Sequence, residues 1–467
     1  MAARGVVVTC EPESAPFPSV VRGVTGRPAH ARASLWHQPL YRNSTALLVN
    51  TAGTSLVGMA FWVLAARRYS ASVVGASSAV ISVMLVLANA AELNLTSAMV
   101  RFLPTAGRQD HRFIVRSYAT VAGCGVVVGF VAFPFIRHLS LVHQLFALGP
   151  WGAIWFALAI GVWCLFALQD AVAIALRGST WVAVENTSYG LVKVIVLVAV
   201  AATLPKLGIF TSWTIPMVLT IPAMNLVIFG SLLPAHRRVG GLTEVVSPRR
   251  FREFITFEYF TGLLGVATST LIQLLVLIRL GAAENAYFYV VWVTTSAFDI
   301  ALFNVGSSLV AEAARQPERL SKLTRDLSRH LVMLLAPVIA VLVVGAPVLL
   351  RVFGSAYSAH SVGLLRLLAL AVVPRIAITM WMSINRVRMR VARVFAVQAT
   401  LTTLLIAACA VALDIRPSIN VIGLTYLVCQ CLVALIIVPG LLPHLRSQPV
   451  LADVVPFAGG DPGSSTP

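Results

Sequence analysis

Apolar residues run along this chain in blocks, each about as long as the roughly 20 helical residues needed to cross a hydrocarbon core. Short segments holding Arg, Pro and Gly separate them. The blocks predict helices near 44–66, 74–98, 114–136, 151–176, 182–204 and 213–233. A polar link containing HRRVGG and SPRRFREF follows. A second set of blocks then lies near 257–278, 286–309, 331–350, 362–384, 394–413 and 419–442. Strands are not implied, because the blocks are continuous and far longer than a strand.

Composition narrows this pattern to one class. Of 467 residues, 58% are hydrophobic and 11% charged, with a mean hydropathy of +0.87, where soluble domains carry about 25% charged residues. The expected fold class is an all-α integral membrane protein, with about twelve transmembrane helices in two six-helix lobes around a central cavity. The predicted organisation is a disordered cytoplasmic tail over 1–40, a first lobe over 41–233 and a basic cytoplasmic linker over 234–256. A second lobe spans 257–442, and a disordered cytoplasmic tail 443–467. The amino-terminal stretch, rich in Ala, Arg, Pro and Ser, lacks the apolar core of about 7 to 15 residues that a signal peptide needs.

The formal net charge of +18 raises nucleic acid as a partner, and its distribution decides against it. Even-numbered links carry Arg101, Arg108, Arg112 and Arg116, then Arg237, Arg238, Arg249, Arg250 and Arg252. Later even links hold Arg315, Arg319, Lys322, Arg325 and Arg329, then Arg386, Arg388, Arg390 and Arg393. With the tails, about 25 basic residues fall on one side and about 7 on the other, and the richer side is cytoplasmic. Both termini are therefore placed inside, in the inner (plasma) membrane. Arg67 and Arg68 are the awkward pair on the poor side. Charge spread over many short loops is not a nucleic-acid face.

Sliding the chain by 210 residues lays the second span over the eighth: Val80 on Val290, Val83 on Val293, Ala91 on Ala301, Asn94 on Asn304, Ser97 on Ser307 and Val100 on Val310. A six-span half repeated once keeps its orientation, so the halves are expected about an axis along the membrane normal.

A polar side chain in hydrocarbon must face protein, water or substrate, so intramembrane polar stripes mark candidate sites. Ser78, Ser82, Asn89, Glu92 and Thr96 recur on one face of the second span, and Glu258, Thr261, Gly265 and Thr268 on one face of the seventh. Helix packing explains the small residues as well as a cavity does. The carboxylates demand more, because an ionised acid at mid-membrane costs about 2.5 to 3.5 kcal/mol or more. Glu92, Asp299, Glu258 and Asp170 are the candidate ion-coupling or cavity carboxylates. Lys193 and Arg375 lie deep in their spans and are candidate contacts for an anionic cargo, as a phosphate inside the bilayer needs fixed positive charge. Arg366 also lies within a span, while Arg42 and Arg101 sit near span ends and can snorkel.

Catalytic and cofactor chemistry find no footing. The nine histidines fall mostly in tails and loops, and the six cysteines are scattered, mostly inside apolar runs, without ligand-like pairing. Asp170, followed by Arg177 and Glu185, reads equally as a helix-end ion pair or a general base. There is no GxxxxGK[ST] loop to bind ATP. No enzyme, cofactor or metal is expected.

The run QDAVAIALRGSTWVAVENTSYGLVKVIVL resembles the corresponding segment of bacterial polysaccharide biosynthesis proteins of the lipid-linked oligosaccharide flippase type. These belong to the multidrug/oligosaccharidyl-lipid/polysaccharide exporter superfamily. Gln169, Asp170, Ala175, Leu176, Arg177, Trp181, Asn186 and Lys193 carry the match. NSTALLVNTAG, SAMVRFLPTAGR and LLRLLALAVVPRIAITMWMSINRVRMR extend it from about Tyr41 to Leu442. The resemblance implies two lobes opening alternately to either face, with a polyprenyl-diphosphate oligosaccharide as cargo for cell-envelope polysaccharide. It also implies cationic cavity residues, carried here to Arg101, Arg177 and Lys193. Expected partners are the lipid-linked glycan, membrane lipids and a glycan polymerase or glycosyltransferases of the pathway.

The leading expectation is thus a flippase. The alternatives are a cation-coupled multidrug or metabolite exporter using Glu92 or Asp299, a membrane glycosyltransferase or polymerase, and a non-transporting scaffold. The short outer links argue against the glycosyltransferase.

Overall fold

A computed structural model describes residues 56–103, 110–136, 148–176, 178–239, 248–315 and 319–445. The described part is helical throughout. Helix α1 covers 56–68, followed by α2 (Ala71–Ala91), the short α3 (Leu95–Phe102), α4 (Asp110–Ile136), α5 (Pro150–Ala175) and α6 (Ser179–Val200). Helix α7 starts at Gly208, passes through a π-helical turn at Ile228–Leu232 and ends at Val239. The second lobe comprises α8 (Pro248–Leu280), α9 (Ala282–Arg315), α10 (Leu320–Arg351), α11 (Ser355–Val387), α12 (Val391–Ile415) and α13 (Ile419–Leu445).

Eleven of the described helices are long and apolar enough to cross a membrane, and α1 is the described part of the span expected at 44–66. Their outward faces are hydrocarbon-like: Val341, Val344 and Val348 on α10 and Leu435 and Ile436 on α13 are all largely exposed. Aliphatic surface of that extent is incompatible with water and suits lipid. The chain is a multi-pass membrane protein. The tail expected at 1–40 lies outside the described residues, and of that expected at 443–467 the first three residues belong to α13 while the rest lies outside them.

Helices extend past the apolar blocks wherever basic end turns continue the hydrogen-bond ladder. Thus α8 begins at Pro248 rather than near 257, and α9 runs to Arg315 rather than 309. The polar link expected at 234–256 shortens accordingly. At the opposite end of α8 the connection to α9 is the single residue Gly281, whose φ of 91° suits glycine.

The second span departs from expectation more sharply. It does not run unbroken to 98 but stops at Ala91, turns through Glu92, Leu93 and Asn94, and restarts as α3. Leu93 (φ 50°) and Asn94 (φ 58°) adopt left-handed backbone, which Asn tolerates and Leu does not favour. Its repeat counterpart, α9, passes the equivalent position without a break.

Lobe one packs α4 on α5 and α6 on α7; lobe two packs α11 against α9, α10 and α13, and α8 against α12. Helix α2 bridges them, lying against both α8 and α9. Gly75 permits the closest approach: a Cβ there would overlap the Ala282 carbonyl and sit 2.9 Å from the Ala286 nitrogen. Asn285 Nδ2 donates to the Gly75 carbonyl at 2.8 Å. These two residues are 210 positions apart, so repeat counterparts touch, as they do beside a local twofold axis.

Further bonds continue the seam. Gln273 Nε2 donates to Ser78 Oγ at 3.0 Å, and Ser82 Oγ donates to Gln273 Oε1. Tyr259 donates to the Ala90 carbonyl at 2.8 Å. The awkward Arg67 has a structural role here. Its guanidinium spans the lobes and donates to the carbonyls of Val352 (2.9 Å) and Arg351 (3.0 Å), satisfying the C-terminal end of α10.

Candidate functional site

The charged residues singled out in the spans sort into two contrasting groups, one in each lobe.

In the second lobe the acids are neutralised. Asp299 on α9 forms an ion pair with Arg375 on α11, and Arg375 also stands over the Tyr426 ring, 5.7 Å from its centroid. Glu258 on α8 pairs with Arg386 on α11 at 2.9 Å. All four side chains are between a fifth and a third exposed. Two candidates from opposite categories, the cargo cation Arg375 and the coupling acid Asp299, therefore satisfy each other. The stripe on the seventh span turns inward: Thr268 Oγ1 lies 2.7 Å from Thr402 Oγ1 on α12 and donates to the Leu264 carbonyl, while Thr261 donates to the Phe257 carbonyl. Thr268 thus serves helix packing within the lobe, and Glu258 at the head of the stripe meets Arg386.

In the first lobe, Glu92, Asp170 and Glu185 have no basic partner among the described residues. Glu92 at the end of α2 accepts a hydrogen bond from Thr96 Oγ1 (3.2 Å) across the helix break. Asp170 on α5 accepts from Asn186 Nδ2 on α6 (3.0 Å), and that amide also donates to the Val182 carbonyl. Glu185 is buried with neither carboxylate oxygen hydrogen-bonded. The described partner of Asp170 is thus an amide, and the Arg177 half of the helix-end ion pair weighed against a general base lies outside the described residues. Arg177 lies outside them, and so does the Arg101 side chain, although its backbone belongs to α3.

Lys193, 7% exposed, is the most buried lysine or arginine among the described residues. Its ammonium sits among three rings: Trp213 on α7 (4.3 Å to the centroid), Phe61 on α1 (4.7 Å) and Tyr189 one turn earlier on α6 (5.2 Å). Trp163 on α5 stacks on Trp213 at 5.6 Å, and Tyr189 donates to the Trp213 carbonyl at 3.1 Å. Ring quadrupoles supply in part the negative potential that a carboxylate would. The depth of Lys193 is legible in the sequence, but its cage draws on three helices and is not.

The polar stripe of the second span divides. Ser78 and Ser82 bond across the lobe seam, while Asn89 turns back to the Leu85 carbonyl. Gln273 and Asn285, which complete the seam, carry a signal in the sequence: each is an amide set within or at the edge of an apolar block. Arg366 donates to the Val343 carbonyl at 2.9 Å and is exposed.

No protein-family model matches the chain, and no curated protein matches its sequence. Solved structures do match its shape. One is the inward-facing conformation of a multidrug resistance MATE family transporter of the MOP superfamily, with a TM-score of 0.64, 12% identity, and coverage of 86% of this chain and 97% of the other. The fold is that of MATE transporters. An outward-facing conformation of such a transporter aligns at a TM-score of 0.63, 13% identical, over 87% of this chain and 94% of its own. A MOP superfamily transporter from Pyrococcus furiosus aligns at 0.59 and 12% identity over the same shares; its binding pocket is described as of reverse polarity, suggesting a different function. The shared fold bears out the architectural half of the expected resemblance, two helical lobes. None of these neighbours is a polysaccharide or lipid-linked oligosaccharide flippase, so the flippase half gains no support from them.

Proposed function

We propose that this chain is a secondary transporter, an exporter that opens its two six-helix lobes alternately to either face and couples cargo movement to cation entry. The contrast between lobes carries the reading. In the second lobe each candidate acid is paired with an arginine, whereas Glu92, Asp170 and Glu185 in the first have no basic partner among the described residues. Buried acids without fixed counter-charge are what a cation-coupled cycle requires, since a fixed arginine would compete with the travelling ion. That neighbours of the same fold have been captured facing inward and outward supports alternation. In this reading the basic links face the cytoplasm of the plasma membrane, and the cargo is an amphipathic small molecule.

The test is transport by purified protein in sealed liposomes under imposed proton or sodium gradients. Accumulation of an amphipathic cationic dye that collapses when the gradient is dissipated is the expected result. Dye distribution indifferent to protein and gradient would contradict it.

A second reading keeps the polyprenyl-diphosphate oligosaccharide as cargo, with Lys193, Arg375, Arg101 and Arg177 as contacts and a glycan polymerase or glycosyltransferases as partners. Lys193 favours it, because a buried ammonium held by rings rather than a carboxylate keeps its charge available to an anion. The reversed pocket polarity described for the Pyrococcus furiosus transporter is a precedent for such a change of cargo. Protein-dependent movement of a fluorescent polyprenyl-diphosphate sugar between leaflets, with no dye transport, would select this reading.

A further inference from the structure

We infer that Asp170, Glu185 and Tyr118 form a binding site for a monovalent cation, Na+ or a proton, at the basic end of the first lobe. The inference rests on the cation-coupled reading and assigns that coupling a place.

Three helices converge there. Tyr118 lies in the third turn of α4, Asp170 in the next-to-last turn of α5 and Glu185 in the second turn of α6, so all three stand near the ends of their helices that adjoin the basic links. Tyr118 and Glu185 are buried and Asp170 is half-buried with its Oδ1 enclosed, and the Tyr118 hydroxyl feels the charge of both carboxylates, which also interact with each other. Four oxygens in this cluster have no hydrogen-bond partner: Glu185 Oε1 and Oε2, Asp170 Oδ1 and the Tyr118 hydroxyl. Tyr118 is 9% exposed and Glu185 6%. Buried polar atoms are almost always partnered in folded proteins, so four of them turned on one region mark a place built for something else.

The chemistry of that region selects the ligand. The neighbouring amides are turned to other partners: Asn186 gives its amide hydrogens to Asp170 and the Val182 carbonyl, and Gln169 donates to the Ile221 carbonyl. What remains is two carboxylates and a phenol oxygen, an all-oxygen set for a hard cation or a shared proton. An anion would meet two like charges and a transition metal would find no nitrogen or sulfur. Of the other charged side chains on the helices packed against this cluster, Arg112 and Arg116 on α4 are exposed, Asp110 opens α4 and accepts from the His111 amide, Glu92 ends α2 on the side of Cys164, and Lys193 lies within its cage farther along α6. None of these pairs with Asp170 or Glu185.

The Asp299–Arg375 and Glu258–Arg386 pairs lack this availability, since each acid already holds a guanidinium. Asp170 is a candidate in the sequence, and Glu185 reads there beside it equally as part of a helix-end ion pair or of a general-base site. Tyr118, on a different helix, carried no signal.

The experiment uses the full chain in lipid nanodiscs, without any transport step. In one arm Na+ is titrated against K+ at constant ionic strength and followed by calorimetry; in the other, difference infrared spectra record the carboxyl stretch as pH is stepped. A saturable Na+ signal in the first arm or a titrating buried carboxyl band in the second is expected from the native protein. Both should vanish in Glu185→Gln/Asp170→Asn. Tyr118→Phe, which keeps shape and burial, should weaken the native response about tenfold, the loss of one charge-assisted hydrogen bond or ligand. Restoring either single acid, in Glu185→Gln or Asp170→Asn alone, reports whether folding is intact. Responses in neither arm, or responses unchanged in the double variant, would overturn the site. Cation binding that survives here while the liposome assay shows no coupled dye movement would fault the transport reading and leave the site standing.

Discussion

Replacing Arg375 alone by Met is expected to cost about 3 kcal/mol of stability or more, because it strands Asp299 between helices with no counter-charge. Asp299→Leu should cost a similar amount by stranding Arg375, whose remaining neighbour is the Tyr426 ring. The double variant Arg375→Met/Asp299→Leu should recover most of either loss, to within about 1 kcal/mol of the native protein, since apolar groups of like volume replace a buried pair at little net cost. Unfolding in detergent, read by circular dichroism against denaturant, gives the three values directly. The cycle also separates structure from cargo binding. A stable double variant that transports normally assigns the pair to packing. A stable double variant that has lost movement of an anionic lipid would return Arg375 to the cargo site. Additive single losses would mean that the two groups do not sense each other.

Gly75 should tolerate no side chain in the packed arrangement of α2 and α9. A Cβ there overlaps backbone of Ala282, and backbone cannot rotate away as a side chain can. Gly75→Val is expected either to destabilise by about 3 kcal/mol, the upper end for overpacking, or to prise the seam open at the end of the lobes away from the basic links. The second outcome is the more informative. It would break the Asn285–Gly75 bond and weaken the Arg67 bridge to α10, which lie at the same end. Cysteine accessibility of residues along the start of α2 should rise. Gly262→Ala on α8 is the control, because nothing lies near its added methyl. It should be neutral or stabilising, as Ala favours helix over Gly by about 1 kcal/mol. Equal effects at the two glycines would deny the seam its tight contact.

The fold was largely legible because each helix had to bury its own backbone in lipid, and that need writes a long apolar block into the sequence. The block locates a span but not its ends, which extend into basic turns as in α8 and α9. The break after Ala91 was illegible for a related reason: the residues around it stay apolar enough to read as continuous helix, and no glycine marks the left-handed backbone at Leu93.

Sites were legible one residue at a time. Lys193, Arg375, Asp299 and Asp170 stand out because charge inside an apolar block is costly. Their partners lie on other helices, so a cost visible in the sequence could be met by an ion pair, a ring cage or an amide without any local trace. Asp299 and Arg375 were each noticed, for different reasons, and proved to be one feature. The stripe of Ser78 and Ser82 showed a face correctly, but that face meets Gln273 of the other lobe rather than a cavity.

In the proposed cycle the two lobes rock against each other along the α2 seam. Pulsed electron resonance distances test it, with one spin-label pair at Arg112 and Lys322 on the basic face and another at Lys206 and Arg416 on the opposite face, all exposed positions. Shifting between cation-loaded and cation-free conditions should lengthen one distance while shortening the other. Two distances that stay fixed, or that move in the same direction, would contradict alternating access.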